Sequence, residues 1–196
     1  MTCVAHERVE ETMVDLPTLA ENLELPEGYR TEIIDGSIVV SPTPTTGHAD
    51  IVTVLQEMLI LAGLGDRGLR TYQVITVEVP QTSDRYVPDL MVLPKTAVRN
   101  KHGRSTKWIQ PAEDLELAVE VVSPSSRLHD WQSKVKGYAT AGVPLYLVID
   151  PRKSEIALFS NPEKAEYKDV ARAVRGASVK LPEPFNLEIE ATPLLT

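Results

Sequence analysis

The segment from Leu115 to Val122, LELAVEVV, predicts a buried β-strand and carries an acid inside it. Side chains alternate between the two faces of a strand, so Glu120 shares its face with Ala118 and Val122. A carboxylate in such a strand must find a partner, a metal or a proton, because an uncompensated buried charge is costly. The fold therefore has to provide one of these three next to Glu120.

Asp89 poses the same problem in a second apolar stretch, YVPDLMVL, which predicts a strand from Tyr86 to Leu93. Pro88 removes a backbone donor and favours a strand edge or a strand entry here. An isolated buried acid is more often a structural hydrogen-bond acceptor than a ligand. Two acids on separate apolar strands are more informative, because together they can hold one divalent cation, and hard oxygen ligands suit Mg²⁺ or Mn²⁺.

A third acid, Glu32, precedes the Asp35-Gly36 pair, which is typical of a tight hairpin turn between two β-rich runs. Glu32 fits an exposed strand position and a site role equally well. On the predicted helix from Leu128 to Ala141, Asp130, Lys134 and Tyr138 follow at spacings of four and share one face. They form either a surface Asp–Lys pair or a set in which the lysine points towards the acids.

The remaining patterns predict one mixed α/β domain over residues 1–196. Gly142 should end the Leu128–Ala141 helix, and the tail with Pro182, Pro184 and Pro193 is expected to cross the surface. The other predicted elements are helices at Asp15–Leu23 and His48–Ala62 and strands at Leu69–Val79, Leu145–Ile149 and Glu155–Phe159.

The formal net charge of −8 argues against a protein that coats nucleic acid through bulk electrostatics. The charge is unevenly spread, however, because KTAVRNKHGRSTK holds five cations and no acid: Lys95, Arg99, Lys101, Arg104 and Lys107. This run is either a solvated loop or a rim that contacts phosphates beside an acidic site. Trp108 follows it and could stack on bases or cover the core.

Composition and motifs exclude several other classes of protein. The most apolar stretch, residues 51–64, is too polar and short to cross a bilayer, and the N-terminus lacks a secretory pattern. We therefore expect a cytoplasmic protein with no membrane contact. Gly63 to Gly68 matches GxGxxG, but a predicted helix precedes it and a strand follows, the reverse of a dinucleotide site.

The ordered series EIIDGSIVVSP, VPDLMVL, LAVEVVSPSSR and DWQSKVKGYATAGVPLYLVIDP, within Tyr29 to Pro151, resembles the Uma-type restriction endonuclease family of the PD-(D/E)xK superfamily. The resemblance implies an α/β fold with a restriction-endonuclease-like mixed central β-sheet flanked by helices. Its nuclease-like core would span residues 29–160, between a short N-terminal helix and a β-rich, proline-rich C-terminal extension.

The resemblance also implies a site. Asp89 and Glu120 match the two metal-holding acids, and Glu32 matches the upstream acid. Val122 stands where the superfamily pattern has lysine, and Lys134 on the following helix is the expected replacement. Mg²⁺ or Mn²⁺ would be held by Asp89, Glu120 and a backbone carbonyl near Val121.

These residues imply a metal-dependent endonuclease that acts on DNA, and a homodimer is expected because cutting two strands takes two symmetry-related sites. Two alternatives stay open. The apolar Val122 and the acidic total favour a catalytically inactive module that binds nucleic acid or assembles with partners. A metal hydrolase with another substrate would keep the same ion.

Overall fold

The computed structural model describes residues 15–98 and 108–195, together with the backbone of 99–100 and 103–104. Its helices are α1 (Leu16–Glu21), α2 (Thr46–Leu61) and α3 (Lys134–Thr140), with a π-helical turn at His129–Ser133 and 3-10 turns at Ala112–Asp114 and Thr192–Leu194. Its strands are β1 (Tyr29–Ile34), β2 (Ser37–Pro42), β3 (Leu69–Tyr72), β4 (Thr76–Val79), β5 (Asp84–Tyr86), β6 (Leu90–Pro94), β7 (Arg99–Asn100), β8 (Gly103–Arg104), β9 (Ile109–Pro111), β10 (Leu117–Val121), β11 (Leu145–Asp150), β12 (Glu155–Glu163), β13 (Glu166–Val174), β14 (Ser178–Leu181) and β15 (Leu187–Glu190).

Two larger sheets organise this part of the chain. The six-stranded sheet runs β13-β12-β11-β10-β6-β3, and the five-stranded sheet runs β2-β1-β5-β4-β9. Strand β10 pairs in parallel with β11 and antiparallel with β6, so the sheet is mixed. The predicted mixed α/β class is therefore confirmed. No helix among the described residues is long and apolar enough to cross a bilayer.

Local sequence signals agree with the structure at several turns and caps. The Asp35-Gly36 pair joins β1 and β2, and both residues have positive φ (49° and 69°), as a type I′ turn requires. The carboxylate of Asp15 caps α1 by accepting a hydrogen bond from the Thr18 amide at 2.8 Å. Gly142, with a φ of 74°, follows α3 at the predicted stop.

Two predicted strands are wrong, for the same reason. The Leu69–Val79 pattern is split into β3 and β4, which belong to different sheets, and the Tyr86–Leu93 pattern is split into β5 and β6. In each case the chain leaves one sheet and enters the other, while the alternating or apolar pattern continues across the break. The second break puts Asp89 immediately before β6.

The prediction that the C-terminal tail crosses the surface is also wrong. Instead of crossing the surface, the tail forms the antiparallel β14–β15 hairpin. Leu181, Phe185, Ile189 and Leu194 are buried in the core cluster that covers one face of the six-stranded sheet. The alternating pattern of the hairpin supplies the apolar face that this sheet needs.

Candidate active site

Asp89 and Glu120 lie side by side where the β6–β10 ladder ends. Leu90 pairs with Val119, so Asp89 lies one residue beyond the last pair and next to Glu120. The Val121 amide donates a hydrogen bond of 2.8 Å to Asp89 Oδ2, which fixes this carboxylate on the neighbouring strand. The two acids identified from separate apolar stretches therefore meet at one point.

The ammonium group of Lys134 lies in the middle of the acids. Its Nζ is 2.8 Å from Glu120 Oε1, 2.9 Å from Glu32 Oε1 and 3.6 Å from Asp130 Oδ1. Burial opposes the charge of Lys134, but the carboxylates of Glu120, Glu32 and Asp130 outweigh it and raise the pKa of Lys134 well above its ordinary value. Lys134 is thus a buried ammonium that three carboxylates hold.

The interpretation of Asp130 and Lys134 as an exposed pair is wrong, because both side chains are buried. Asp130 accepts a hydrogen bond from the Ser126 hydroxyl. Burial raises the pKa of Asp130 to about 6, although Lys134 and Ser126 oppose this. The π-helical turn precedes Lys134, whose amide donates to the carbonyl of His129. Such insertions are frequent at functional sites.

Glu120 has a strongly raised pKa and contacts both Lys134 and Tyr138. Burial raises the pKa of Glu120 well above its ordinary value; Lys134 opposes the shift, whereas Asp89, Asp130 and Glu32 add to it. Tyr138 also donates a hydrogen bond to Glu120 Oε1 at 3.3 Å. Glu32 is fixed differently, since its carboxylate accepts a hydrogen bond of 2.8 Å from the Val87 amide.

Two groups beside Asp89 were not identified from the sequence. Arg30 Nη2 lies 3.5 Å from Asp89 Oδ1, and His48 Nε2 lies 3.0 Å from Asp89 Oδ2. Burial would raise the pKa of Asp89, but His48, the Val121 amide and Arg30 together lower it. His48 lies at the spacing of Ile51, Val52 and Leu55, the buried stripe of α2. This spacing is a signal that could have placed His48 on the inner face.

His48 Nε2 and Arg30 Nε share a further property. Both are buried, and neither has an aligned hydrogen-bond partner within the described residues, despite the short distance from His48 to Asp89. Both groups, with Glu32, Asp89, Glu120 and Lys134, line a cavity of about 430 Å³. The remaining wall comes from the loop before α2 and from the Ser123–Ser126 turn. The cavity therefore leaves space beside the side chains of Arg30 and His48, whose two nitrogen atoms are themselves buried.

The charges around this cavity do not balance. When ionised, the carboxylates of Glu32, Asp89, Glu120 and Asp130 face two permanent cations, Arg30 and Lys134, which leaves an excess of two negative charges. Either protons or a cation must compensate this excess in a site of low dielectric. Without a bound cation, the raised pKa values of Glu120 and Asp130 favour protonation of these two carboxyl groups, which reduces the negative charge.

A divalent cation would compensate two negative charges. Carboxylate oxygens are ligands that Mg²⁺ and Mn²⁺ prefer. Within residues 15–98 and 108–195, no three His, Cys, Asp or Glu side chains already form a ligand set. Lys134 Nζ lies between Glu32 and Glu120, which keeps those two acids from sharing an ion. Asp89 and Glu120 are neighbouring carboxylates on the cavity wall, which Glu32 also lines.

The predicted phosphate-contacting rim is only partly described. Lys95 donates from Nζ to the carbonyl of Gly65 and is absent from the cavity wall. Lys101 and Lys107 lie outside the described residues. The side chains of Arg99 and Arg104 do so too, although their backbones pair as β7 and β8. The rim therefore stays a prediction.

The mixed sheet gathers acids and a buried lysine at a strand end, and this α/β fold is the class of fold found in a solved nuclease structure. A crystal structure of a putative nuclease belonging to DUF820, from Anabaena variabilis, has this fold, with a TM-score of 0.73 and 18% sequence identity. The match covers 93% of this chain and 97% of the other.

The family is fixed by sequence. Residues 18–194 match the family model described as "Uma2: Putative restriction endonuclease", and the chain belongs to this family. None of the curated proteins matches the chain. The resemblance carried by the motifs between Tyr29 and Pro151 is therefore confirmed, and the match extends beyond them in both directions.

Proposed function

We propose that this protein is a divalent-metal-dependent endonuclease that hydrolyses DNA phosphodiester bonds in the cavity lined by Asp89 and Glu120. The observation that carries the proposal is the convergence of three carboxylates on one buried ammonium group, which leaves an excess of two negative charges when all of them are ionised. A site that only stabilised the fold would gain nothing from this excess, since buried charges without compensation are costly. Membership of a family described as putative restriction endonucleases also supports a nuclease function.

In this proposal Asp89, Glu120 and the backbone carbonyl of Val121 hold Mg²⁺ or Mn²⁺. The ion supplies Lewis-acid activation of water and neutralises charge on the scissile phosphate. The hydrogen bond from the Val121 amide keeps Asp89 oriented without using its second oxygen. Substituting either acid would remove one of the few oxygen donors available there.

Lys134 acts as the cation of the site. Held at 2.8–2.9 Å by Glu120 and Glu32, its ammonium group is preorganised and would orient the attacking water or stabilise negative charge that develops on the phosphate. Arg30, whose guanidinium group lies at the cavity wall, would neutralise a non-bridging phosphate oxygen. Glu32 and Asp130 position Lys134 in this scheme.

One observation favours the second candidate, a catalytically inactive nucleic-acid-binding module. The ammonium group of Lys134 already contacts three carboxylates, and Val122, where the superfamily pattern has lysine, is apolar and buried. Under this hypothesis Lys134 neutralises the cluster permanently and no ion enters.

Calorimetric titration of Mg²⁺ and Mn²⁺ separates the two candidates. The proposal expects binding by the wild type, loss of binding in Asp89→Asn/Glu120→Gln, and retained binding in Asp84→Asn, a buried acid that lies outside the cavity. Cleavage of plasmid and single-stranded DNA should follow the same pattern. A wild type that binds no ion and cuts nothing is an inactive module. Gel filtration tests the expected homodimer.

A further inference from the structure

A second cavity, of about 700 Å³, opens beside the candidate active site. Arg30 and Glu32 of β1 line both cavities, so the two cavities are neighbours along this strand. The second cavity, here called the aromatic groove, is bounded by the end of α1 and the segment after it, by Tyr29, by Val74, by Arg85 and by Trp108.

The groove gathers large apolar side chains that solvent would otherwise cover. Trp108 is 60% exposed, Tyr29 49%, Leu23 40% and Val74 84%. Single exposed apolar residues are ordinary, but several on one concave surface mark a binding site. The two aromatic rings also favour a flat occupant that can stack.

The backbone at Val74 supports a binding role. Val74 has a φ of 60°, in the left-handed region that a β-branched residue rarely adopts. Such conformations persist where the surrounding structure enforces them, and they cluster at ligand sites. Here the conformation lies between β3 and β4 and presents the isopropyl group to the groove rather than to the core.

The charged groups of the groove already have partners, and Arg30 at its border contacts Asp89 through Nη2 at 3.5 Å. Arg85 binds Glu21 at 2.6 Å and Glu78 at 3.3 Å, so its charge is compensated. Arg30 Nε has no hydrogen-bond partner in the described structure. The side chain of Arg30 is still 28% exposed, so an occupant should be apolar and flat in the groove and anionic towards Arg30. In addition, the basic segment 95–107 directly precedes Trp108 in the chain.

We propose that the aromatic groove binds unpaired bases of a DNA strand whose backbone passes Arg30 into the active-site cavity. In a duplex the faces of the bases are covered by their neighbours, whereas an unpaired strand offers each face for stacking on Trp108 and Tyr29. The substrate class is then single-stranded or locally unpaired DNA. This inference rests on the proposed function for its substrate, but the binding it requires is separable from cleavage.

Binding is measured in EDTA, so that no strand is cut. A fluorescein-labelled oligodeoxynucleotide is titrated with protein as a single strand and as a duplex, and its anisotropy is recorded. We expect the single strand to bind at least about tenfold more tightly. Trp108→Ala and Tyr29→Ala should each weaken that binding by roughly tenfold, the scale of one base–aromatic stack. Trp108→Phe, which keeps a ring, should retain most of it.

Leu61→Ala is the matched control, because Leu61 is 86% exposed at the end of α2 and lines neither cavity. It should bind as the wild type does. Intrinsic fluorescence gives a second readout, since the chain has two tryptophans. Trp131 is held by Asp150 and flanked by Lys153 and Arg172, so quenching by the single strand should disappear in Trp108→Phe.

The outcomes distinguish this inference from the proposed function. Single-strand binding through Trp108, without cleavage in Mn²⁺, supports the groove and defeats the catalytic proposal. Cleavage of duplex DNA that Trp108→Ala leaves unchanged, with no preference for single strands, overturns the groove and leaves catalysis standing. A Trp108→Ala variant that dissociates a dimer in sedimentation and binds DNA normally also overturns it, since a second copy would then occupy the groove.

Discussion

Two sets of buried acids occupy this molecule, and burial does not distinguish them. Asp84 and Asp150 are 4% and 1% exposed, whereas Asp89 and Glu120 are 8% and 2% exposed. Their partners differ. Asp84 accepts hydrogen bonds from the Gly36 amide and the Tyr86 hydroxyl, and Asp150 accepts them from the Trp131 indole and the Lys153 amide.

The acids of the cavity accept hydrogen bonds from neutral donors as well, but they also contact charged groups. Glu120 and Glu32 contact Lys134, and Asp89 lies between Arg30 and His48. Neutral donors satisfy an isolated carboxylate at little further cost, but four converging carboxylates repel one another and need cations. The candidate site is therefore marked by the convergence of several carboxylates that outnumber their cations, and not by the burial of each acid.

The largest test of this comparison is Lys134→Met. It should lower the free energy of unfolding by about 3–5 kcal/mol, because it leaves buried carboxylates without their cation. Asp84→Asn should cost about 1–3 kcal/mol, the scale of a disturbed buried hydrogen bond. Urea denaturation at pH 7 measures both. Adding Glu120→Gln to Lys134→Met should recover part of the loss, because it removes one of the uncompensated carboxylates. Equal losses in Lys134→Met and Asp84→Asn would contradict the distinction between the two sets of buried acids.

The pH dependence of stability gives the second test. The pKa of Asp130 is raised from 3.8 to about 6, so the folded state holds a proton that the unfolded state releases. The stabilisation is complete below pH 3.8 and is lost as the pH rises through 6. With one pKa unit equal to about 1.4 kcal/mol, the free energy of unfolding should fall by up to about 3 kcal/mol between pH 4 and 7.

Asp130→Asn should flatten this fall, because it removes the titrating group that faces Lys134, Glu32, Glu120 and Asp89. Glu120, whose pKa is also raised, contributes in the same direction. The exposed Gln132→Ala, on the same helical segment, should keep the wild-type slope. Denaturation curves at several pH values check this, and an unchanged slope in Asp130→Asn would contradict the assignment.

Divalent cations should stabilise the folded protein by binding to the acids of the cavity, and Asp84 and Asp150 should not contribute to this effect. At a concentration one hundred times its Kd, Mg²⁺ should raise the free energy of unfolding by about 2.7 kcal/mol. Asp84→Asn and Asp150→Asn should keep this gain, and Asp89→Asn/Glu120→Gln should lose it. Thermal or urea denaturation with and without the ion measures the effect. A gain that survives in the double variant would place the ion elsewhere.

The smallest expected effect is that of Tyr138→Phe. It removes a long hydrogen bond of 3.3 Å to Glu120 but keeps the ring that packs against Tyr86 and Tyr146. We expect a loss of about 1 kcal/mol in urea denaturation. Tyr167→Phe, which loses a bond of 2.8 Å to the carbonyl of Val143, is the matched control and should cost a similar amount. A much larger loss in Tyr138→Phe would show that the hydroxyl group is essential to the cluster.

Much of the site could be predicted from the sequence, for an identifiable reason. Glu120 and Asp89 stand out because each is a charged residue in an apolar strand pattern, and the cost of burying a charge does not depend on the fold. The pattern of spacings on the Leu128–Ala141 segment put Asp130, Lys134 and Tyr138 on one face. The spacing could not predict that these residues are buried, because an Asp–Lys pair on an exposed helix has the same sequence spacing.

Local signals also determined the hairpin at Asp35-Gly36, the cap at Asp15 and the stop at Gly142, because each depends on the φ or the hydrogen bond of one or two residues. Only the tertiary structure decided where the long apolar patterns break between sheets, because a buried strand looks alike in either sheet. It also decided that the tail packs into the core and that Arg30 and His48 reach Asp89. These are contacts between distant segments, which no local pattern encodes.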